Sequence, residues 1–277
     1  MFADLHIHSW YSDGRLSPEE LVKKAKAQNV SVLSLCDHET IDAYLRHGDF
    51  CAAEQIRLIM GAEIISVLDG VEYHVLAYGF DMQDKALTEL LRYDRGIFAE
   101  KGNQLIEKIA ADYPNISMEE FSRYERNRKN GGWKSIDYLK SKGIVKNWPD
   151  FAAFVRNYSV SLDSDFLPAA EVISIIHGAG GYAVLAHLGE IAGQDLALCE
   201  EMAGQFLDIG IDGFECYYTS HTAEITNFLL EFCREHNLMI TAGSDEHGGF
   251  NNKPGGCDYS IGAVQVNVEQ LNLKGLL

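Results

Sequence analysis

Residues 2–37, FADLHIHSWYSDGRLSPEELVKKAKAQNVSVLSLCD, hold a complete strand–helix–strand unit, with two histidines where its first strand should be apolar. Alternation in FADLHIH sends His6 and His8 to the same side, because successive side chains leave a strand on opposite faces. Ser17, Pro18 and Glu20 then mark a helix start, as N-cap, first helical residue and closing member of a capping box. VSVLSLC reads as the second strand. Two imidazoles on the buried side of a strand need a partner, and a divalent metal accepts both.

Outward from this unit the pattern repeats. A helix is expected from about Thr40, and RLIMGAEIISVLDGVEYHVLAYGF reads as a strand, a turn at Leu68-Asp69-Gly70 and a returning strand. GGYAVLAHL, IDGFECYY and LMITAGSD are short apolar runs, each preceded by a helical pattern. Repeated βα units predict an α/β fold with a parallel sheet, closed or open. Between Asp81 and Asn157 the strands stop and charged helical sequence takes over. The expected organisation is therefore a first part of the α/β body at 1–80, a helical insertion at 81–157 acting as a cap, and a second part at 158–277.

The chain has 277 residues, 47% of them hydrophobic, enough to bury a large core. Its net charge of -18, from 23 basic and 41 acidic residues, would repel a long polyanion and argues against binding extended duplex nucleic acid. One segment runs the other way. Residues 121–146, FSRYERNRKNGGWKSIDYLKSKGIVK, carry eight basic residues against two acids, which suits either a solvated helix face or a local anion-binding cap. The six cysteines are scattered without a CxxC pair, as reduced core thiols would be. With no stretch approaching the roughly 18 apolar residues of a membrane span and no basic-then-apolar leader, the expectation is a cytoplasmic protein, free of the membrane and of any obligate protein partner.

Chemistry-bearing residues recur where the strands end. His6 and His8 close the first strand, Asp37-His38 the second, Glu63 the third, His187 a later one, and Asp245 with His247 the last; Asp13 falls in the turn after His8 and His74 in the returning strand. Barrel enzymes collect their chemistry from separate βα units at the carboxyl ends of strands. Six histidines and three carboxylates buried together would be costly without a common counter-charge. Nine ligands exceed what one tetrahedral ion takes and are many for two, which points to three divalent ions. Three such ions would outweigh the three carboxylates and make the pocket attractive to phosphate within an acidic chain.

DLHIHSWYSDG, SLCDHETIDAY, GAEI, YHVLAYGF, AVLAHL, DGFECYYTSHT and GSDEHG together resemble the successive motifs of the PHP (polymerase and histidinol phosphatase) family. They are most similar to its stand-alone bacterial phosphoesterases, the group of 3',5'-nucleoside bisphosphate phosphatases and a related 5'-to-3' exoribonuclease. The resemblance spans residues 3–250 outside the insertion. It implies a distorted (β/α)7 barrel with a trinuclear site of Mn2+, Fe2+ or Zn2+, in which a metal-bridging hydroxide hydrolyses the phosphate ester of a small, nucleotide-like substrate. Carried over by motif, His6, His8, Glu63 and Asp245 would hold one ion. Glu63 would bridge to a second ion with His74 and His187, and Asp13, His38 and His247 would hold the third. Asp4 and Asp37 are candidates for carboxylates that orient neighbouring imidazoles.

Glu63 and Asp245 are thereby candidate catalytic residues, joined by His221 in YYTSHTAE, which could protonate a leaving alkoxide or hold a phosphate oxygen. His47, His177 and His236 read as structural. The sequence departs from the family in two places. Leu188 follows His187 where proline is common, and GGWKSIDYL stands where related phosphatases show a Gly-Arg-Pro-His stretch. Lys134 therefore takes the place of an arginine as the candidate second-phosphate contact, beside Trp133 as a stacking surface. Two other readings stand alongside. One is an amidohydrolase-type barrel, which would ordinarily bridge two metals with a lysine where this chain has Glu63, and the other is a PHP module that binds metal or nucleotide without catalysis.

Overall fold

The computed structural model describes residues 1–158, 160, 165–250 and 256–277. The opening unit folds as expected: β1 (Phe2–Ile7), α1 (Pro18–Ala27) and β2 (Val30–Leu35), with the two strands parallel. Ser17 Oγ accepts the Glu20 N–H at 3.2 Å and the Glu20 carboxylate accepts the Ser17 N–H at 2.8 Å, so the first turn of α1 has its free donors met. Leu21, Val22 and Ala25 bury the inner face of that helix.

The chain continues through α2 (Asp42–His47), a two-residue β3 (Arg57–Leu58), β4 (Gly61–Leu68) and β5 (Val71–Tyr78). Asp69 and Gly70 link β4 to β5 with φ of 51° and 79°, the left-handed pair that a two-residue hairpin requires. Helices α3 (Lys85–Asp112), α4 (Met118–Arg123), α5 (Lys134–Ser141), α6 (Trp148–Val155) and α7 (Ala169–Gly178) follow. The last part holds β6 (Tyr182–Leu185), α8 (Leu188–Ile191), α9 (Leu196–Asp208), β7 (Gly213–Tyr218), α10 (Ala223–Glu235), β8 (Met239–Gly243) and β9 (Val266–Asn267).

The strands make two sheets, in the orders β3-β2-β1-β9 and β4-β5-β6-β7-β8. The pairing is mixed rather than all parallel. β5 runs antiparallel to β4, because a two-residue turn can only return the chain antiparallel, and β6 also pairs antiparallel with β5 and β9 with β1. Ladder pairing does not run continuously around a closed ring. Isolated parallel bridges, Ile7 to Glu246 and His38 to Glu63, tie the edges of the two sheets together. Both bridges involve or adjoin the histidines and acids singled out above, so the candidate site sits where the sheets meet.

The main apolar core packs these sheets against their helices. A second cluster, built on Leu105, Ile106, Ile109, Phe121, Ile136 and Tyr138, lies under the helices of the 81–157 stretch. α3 belongs to both, since Leu87, Leu90 and Leu91 enter the main core and Leu105, Ile106 and Ile109 the second. One continuous helix thus ties the second cluster to the main core. Five of the cysteines are buried, Cys257 is exposed, and all are free thiols. Among the described residues no helix is long and apolar enough to cross a membrane.

Candidate metal centre

Glu63 is the hub. Expected at a strand end, it lies near the start of β4, buried, with five imidazoles around its carboxylate. Its Oε1 is 2.8 Å from His74 Nδ1 and 3.1 Å from His187 Nε2, and its Oε2 is 3.3 Å from His6 Nε2, 3.1 Å from His8 Nε2 and 3.3 Å from His38 Nε2. Asp245 joins from the turn after β8, its Oδ1 3.0 Å from His8 Nε2 and 3.5 Å from His6 Nε2. Asp13 Oδ2 lies 3.3 Å from His247 Nε2, and the His8 and His247 rings stack at 4.0 Å. All nine residues singled out as ligands therefore meet in one place.

Three groups have ligand atoms close enough to share an ion: His6, His8, Glu63 and Asp245; His8, Asp13, His38 and His247; and His38, Glu63 and His74. The first is the set carried over by motif. The others differ from that carry-over by adding His8 to the Asp13 group and placing His38 where His187 was expected.

Burial opposes charge on all these groups, yet the charged neighbours prevail over most of them. Against its burial, His74 is raised to about 10 by Glu63, and His247 likewise to about 10 by Asp13 and Asp245. Glu63 is held well below the usual carboxylate range by His38, His6 and His74, and Asp13 and Asp245 are lowered chiefly by His247. His38 goes the other way: desolvation outweighs Glu63 and Asp13 and lowers it to about 4. In the protein alone, protons supply the positive charge this cluster needs.

Protons do not complete it. Among the described residues His8 Nδ1, Asp13 Oδ1, His38 Nδ1 and His187 Nδ1 are buried without a hydrogen bond, and each such orphan costs about 1–3 kcal/mol. His6 Nε2 and His8 Nε2 face each other at 3.1 Å, and both turn toward Glu63 Oε2. Lone pairs converging on a common space fit divalent cations, and a mixed imidazole and carboxylate set suits manganese, iron or zinc.

The backbone that presents these groups is held in unusual conformations. His187 and Asp245 both have positive φ, 31° and 57°. Such strain persists only where the surroundings over-determine it. Here the Asp245 N–H donates to His6 O at 2.7 Å and the His187 N–H to Glu215 Oε2 at 2.9 Å. Gly243 lets β8 pass beneath, since a Cβ there would lie 2.2 Å from His6 Cβ and 2.3 Å from Glu215 Oε1.

Glu215 is the functional residue that sequence reasoning missed. Fully buried on β7, its Oε1 lies 3.0 Å from His6 Nδ1 while its Oε2 holds the His187 backbone, so one carboxylate orients two members of the cluster. Its signal was an acid inside the apolar run DGFECYY. Asp37 and Asp4, proposed to orient imidazoles, hold backbone and hydroxyls instead. Asp37 takes Ser9 N, Ser9 Oγ and Ser12 Oγ at 2.6–2.8 Å and shapes the turn that carries Asp13, whereas Asp4 takes Ser244 N and Gly262 N, both at 2.9 Å. Glu215→Ala is expected to weaken metal affinity by about tenfold to a hundredfold in a chelator-competition titration, and unchanged affinity would show that His6 is oriented by other means.

His221 does not face the cluster with a free nitrogen. Gly189 N–H donates to its Nε2 at 3.1 Å, and its Nδ1 lies 3.3 Å from Cys216 O, so it clasps α8 to β7. Burial lowers its pKa, which suits a neutral ring with one donor and one acceptor. Both nitrogens are spent on backbone, so in this geometry neither serves a substrate. The three histidines read as structural are engaged elsewhere, His47 with Glu19 and Tyr11, His177 with Asp212, and His236 against Phe232.

The basic segment folds back onto the metal-side turn. Arg126 donates to Trp10 O at 2.7 Å, to Ser12 O at 2.5 Å and to Gly132 O, and the Gly132 N–H donates to Asp13 O at 2.7 Å. Gly131 and Gly132, at φ of 70° and 71°, permit this close return. A cavity of about 550 Å³ opens there, lined by Tyr11, Arg95, Arg126, Arg128, Trp133 and Lys134 among others. Lys134 Nζ donates to Ser122 O at 3.2 Å and sits over the Phe121 ring, while Arg128 lies over Tyr11 at 4.9 Å. Trp133 stacks on Phe98 at 4.4 Å, so one face of the indole is already covered.

A family model for the PHP domain matches residues 4–215. The chain belongs to the PHP family. It is 32% identical over 265 residues to a 5'-3' exoribonuclease of Haemophilus influenzae, covering 88% of this chain and 89% of that one. It is 26% identical to a 3',5'-nucleoside bisphosphate phosphatase of Chromobacterium violaceum, over 88% of this chain and 86% of that one. A solved structure from Bifidobacterium adolescentis, provisionally described as a metal-dependent phosphoesterase, matches with a TM-score of 0.77 at 25% identity, covering 96% of this PHP protein and 97% of that chain.

Proposed function

We propose that this PHP protein is a phosphoric ester hydrolase that binds three divalent transition metal ions and cleaves a phosphate ester of a small, nucleotide-like substrate. The observation that carries the reading is Glu63, one buried carboxylate whose two oxygens are ringed by five imidazoles. His6, His8, Glu63 and Asp245 would hold one ion, Glu63 with His74 and His187 a second, and Asp13, His38 and His247 a third, with His8 and His38 near enough to share. When bound, such ions supply Lewis acidity toward phosphoryl oxygens and activate water as the nucleophile. The bridges that join the two sheets support a distorted barrel of β1, β2 and β4 to β8 around this cluster.

The protein's own groups do the rest. Glu215 and the strained backbone at His187 and Asp245 hold the cluster in register, so little reorganisation is needed when substrate arrives. Arg128 and Lys134 in the basic cavity are placed for a second, non-reacting phosphate, and Arg126 secures the floor beneath them. The relatives' activities on nucleotides and RNA fit this division. A carboxylate hub, rather than a lysine, favours this reading over an amidohydrolase, and the full set of nine donors favours it over a non-catalytic module.

The test is to load the protein with manganese and assay nucleoside 3',5'-bisphosphates, short RNA, histidinol phosphate and sugar phosphates. Turnover of none of them at full metal occupancy would return the chain to a binding module. For the second phosphate, Arg128→Ala and Lys134→Ala are each expected to raise KM for a nucleoside bisphosphate about tenfold while altering p-nitrophenyl phosphate little. Equal losses on both substrates would mean that these residues support the fold or the metal cluster instead.

A further inference from the structure

A second cavity, of about 400 Å³, reaches the cluster itself and shares Phe98 and Trp133 with the basic one. Asp13, His38 and His74 line it, with Phe98, Leu105, Trp133, Trp148 and Phe151 as apolar walls. Trp133 and Phe98 line both cavities, and their stack, tilted by 14°, is the partition between a basic chamber and an aromatic one. A molecule whose reacting phosphate lies at the cluster can place a charged branch in one chamber and a flat apolar branch in the other.

Apart from the cluster residues, two chargeable side chains line this chamber, Lys101 and Glu72, with the hydroxyls of Ser135 and Tyr158. Lys101 is 6% exposed and its Nζ makes no hydrogen bond. Among the described residues its Nζ pairs with Asp165 Oδ2 at 3.4 Å, on a side chain that is 54% exposed, and it also lies over the Phe166 ring. An ammonium has three donors and no acceptor, so a buried one without hydrogen bonds is poised for an acceptor. Glu72, its Oε1 3.4 Å from His74 Nε2, offers carboxylate oxygens as acceptors. A phosphate is poorly matched to this chamber, because the arginines lie across the partition and a carboxylate lies within it.

We propose that the aromatic chamber is a base pocket in which Lys101 and Glu72 select nucleobases with a carbonyl beside a ring N–H, such as hypoxanthine, guanine and uracil, over adenine. The carbonyl oxygen accepts from Lys101, the adjacent ring N–H donates to Glu72, and the ring lies against the aromatic walls, where stacking holds any base. Adenine presents a ring acceptor and an exocyclic donor at that edge, the reverse pattern, which leaves both side chains unpaired. This inference rests on the phosphoesterase reading for its substrate but not for its pocket.

The test compares kcat/KM of the manganese-loaded protein for inosine and adenosine 3',5'-bisphosphates. A preference of about tenfold or more for inosine is expected, from the worth of a hydrogen bond to a charged group. Lys101→Met should bring the inosine-to-adenosine ratio close to one. Rates within twofold of each other in the wild type, or a ratio unaltered by Lys101→Met, would overturn the assignment. A readout independent of turnover is tryptophan fluorescence of the metal-free protein titrated with inosine and with adenosine, both without phosphate. Stronger quenching by inosine in a protein that hydrolyses no ester would sustain the pocket while sinking the phosphoesterase reading. Hydrolysis without any discrimination between bases, in rate or in quenching, would do the reverse.

Discussion

Glu63→Gln is expected to lower kcat/KM for any phosphate ester the protein cleaves by about a hundredfold or more. The substitution keeps the shape of the side chain but removes the one negative charge that five imidazoles surround. It also places an amide NH2 within the same lattice of nitrogens, where some contacts become donor against donor. Divalent ions held on either side of this residue would then lack the negative charge between them, and at least one site should lose affinity. Kinetics and metal content measured on the same preparation decide the matter. Near-native turnover with full metal occupancy would show that some other group bridges the ions.

Metal content itself carries the other large effect. Gently purified protein should contain two to three equivalents of transition metal per chain by elemental analysis, and chelation should abolish turnover and lower Tm. The stability loss follows from mass action. An ion that binds only the folded chain contributes about 2.7 kcal/mol at a free concentration a hundred times its Kd, and several ions contribute in proportion. One tight equivalent under saturating metal would sink the trinuclear arrangement. Retention of activity after complete chelation would sink the metal-dependent reading altogether.

The nine converging residues were legible because each is a costly group in an apolar strand or at its end, and one counter-charge answers them all. Glu215 offered the same signal inside DGFECYY and went unread, since it lies mid-strand rather than at an end. His221 was visible as a polar residue near a helix start, but its partners, Gly189 N and Cys216 O, are backbone groups whose direction no sequence pattern reveals. The basic run was visible too. How each of its cations is engaged could not be read: Arg126 is consumed by three carbonyls of the chain, Lys134 donates to Ser122 O, and Arg128 lies over the Tyr11 ring.

The sequence by itself determined the strand and helix alternation, the capped start of α1, the Asp69-Gly70 hairpin and the identity of the residues that meet at Glu63. These follow from short-range physics: side-chain periodicity, capping and turn chemistry act over a few residues. Only the tertiary structure decided that β6 pairs antiparallel with β5, that two bridged sheets rather than one continuous ladder surround the cluster, and that Trp133 on Phe98 divides the approach into two chambers. Those features depend on contacts between residues far apart in the chain, such as His38 with Glu63 and Ile7 with Glu246. Such pairings are selected by how well whole surfaces pack and how completely buried polar groups are met, which no local pattern encodes.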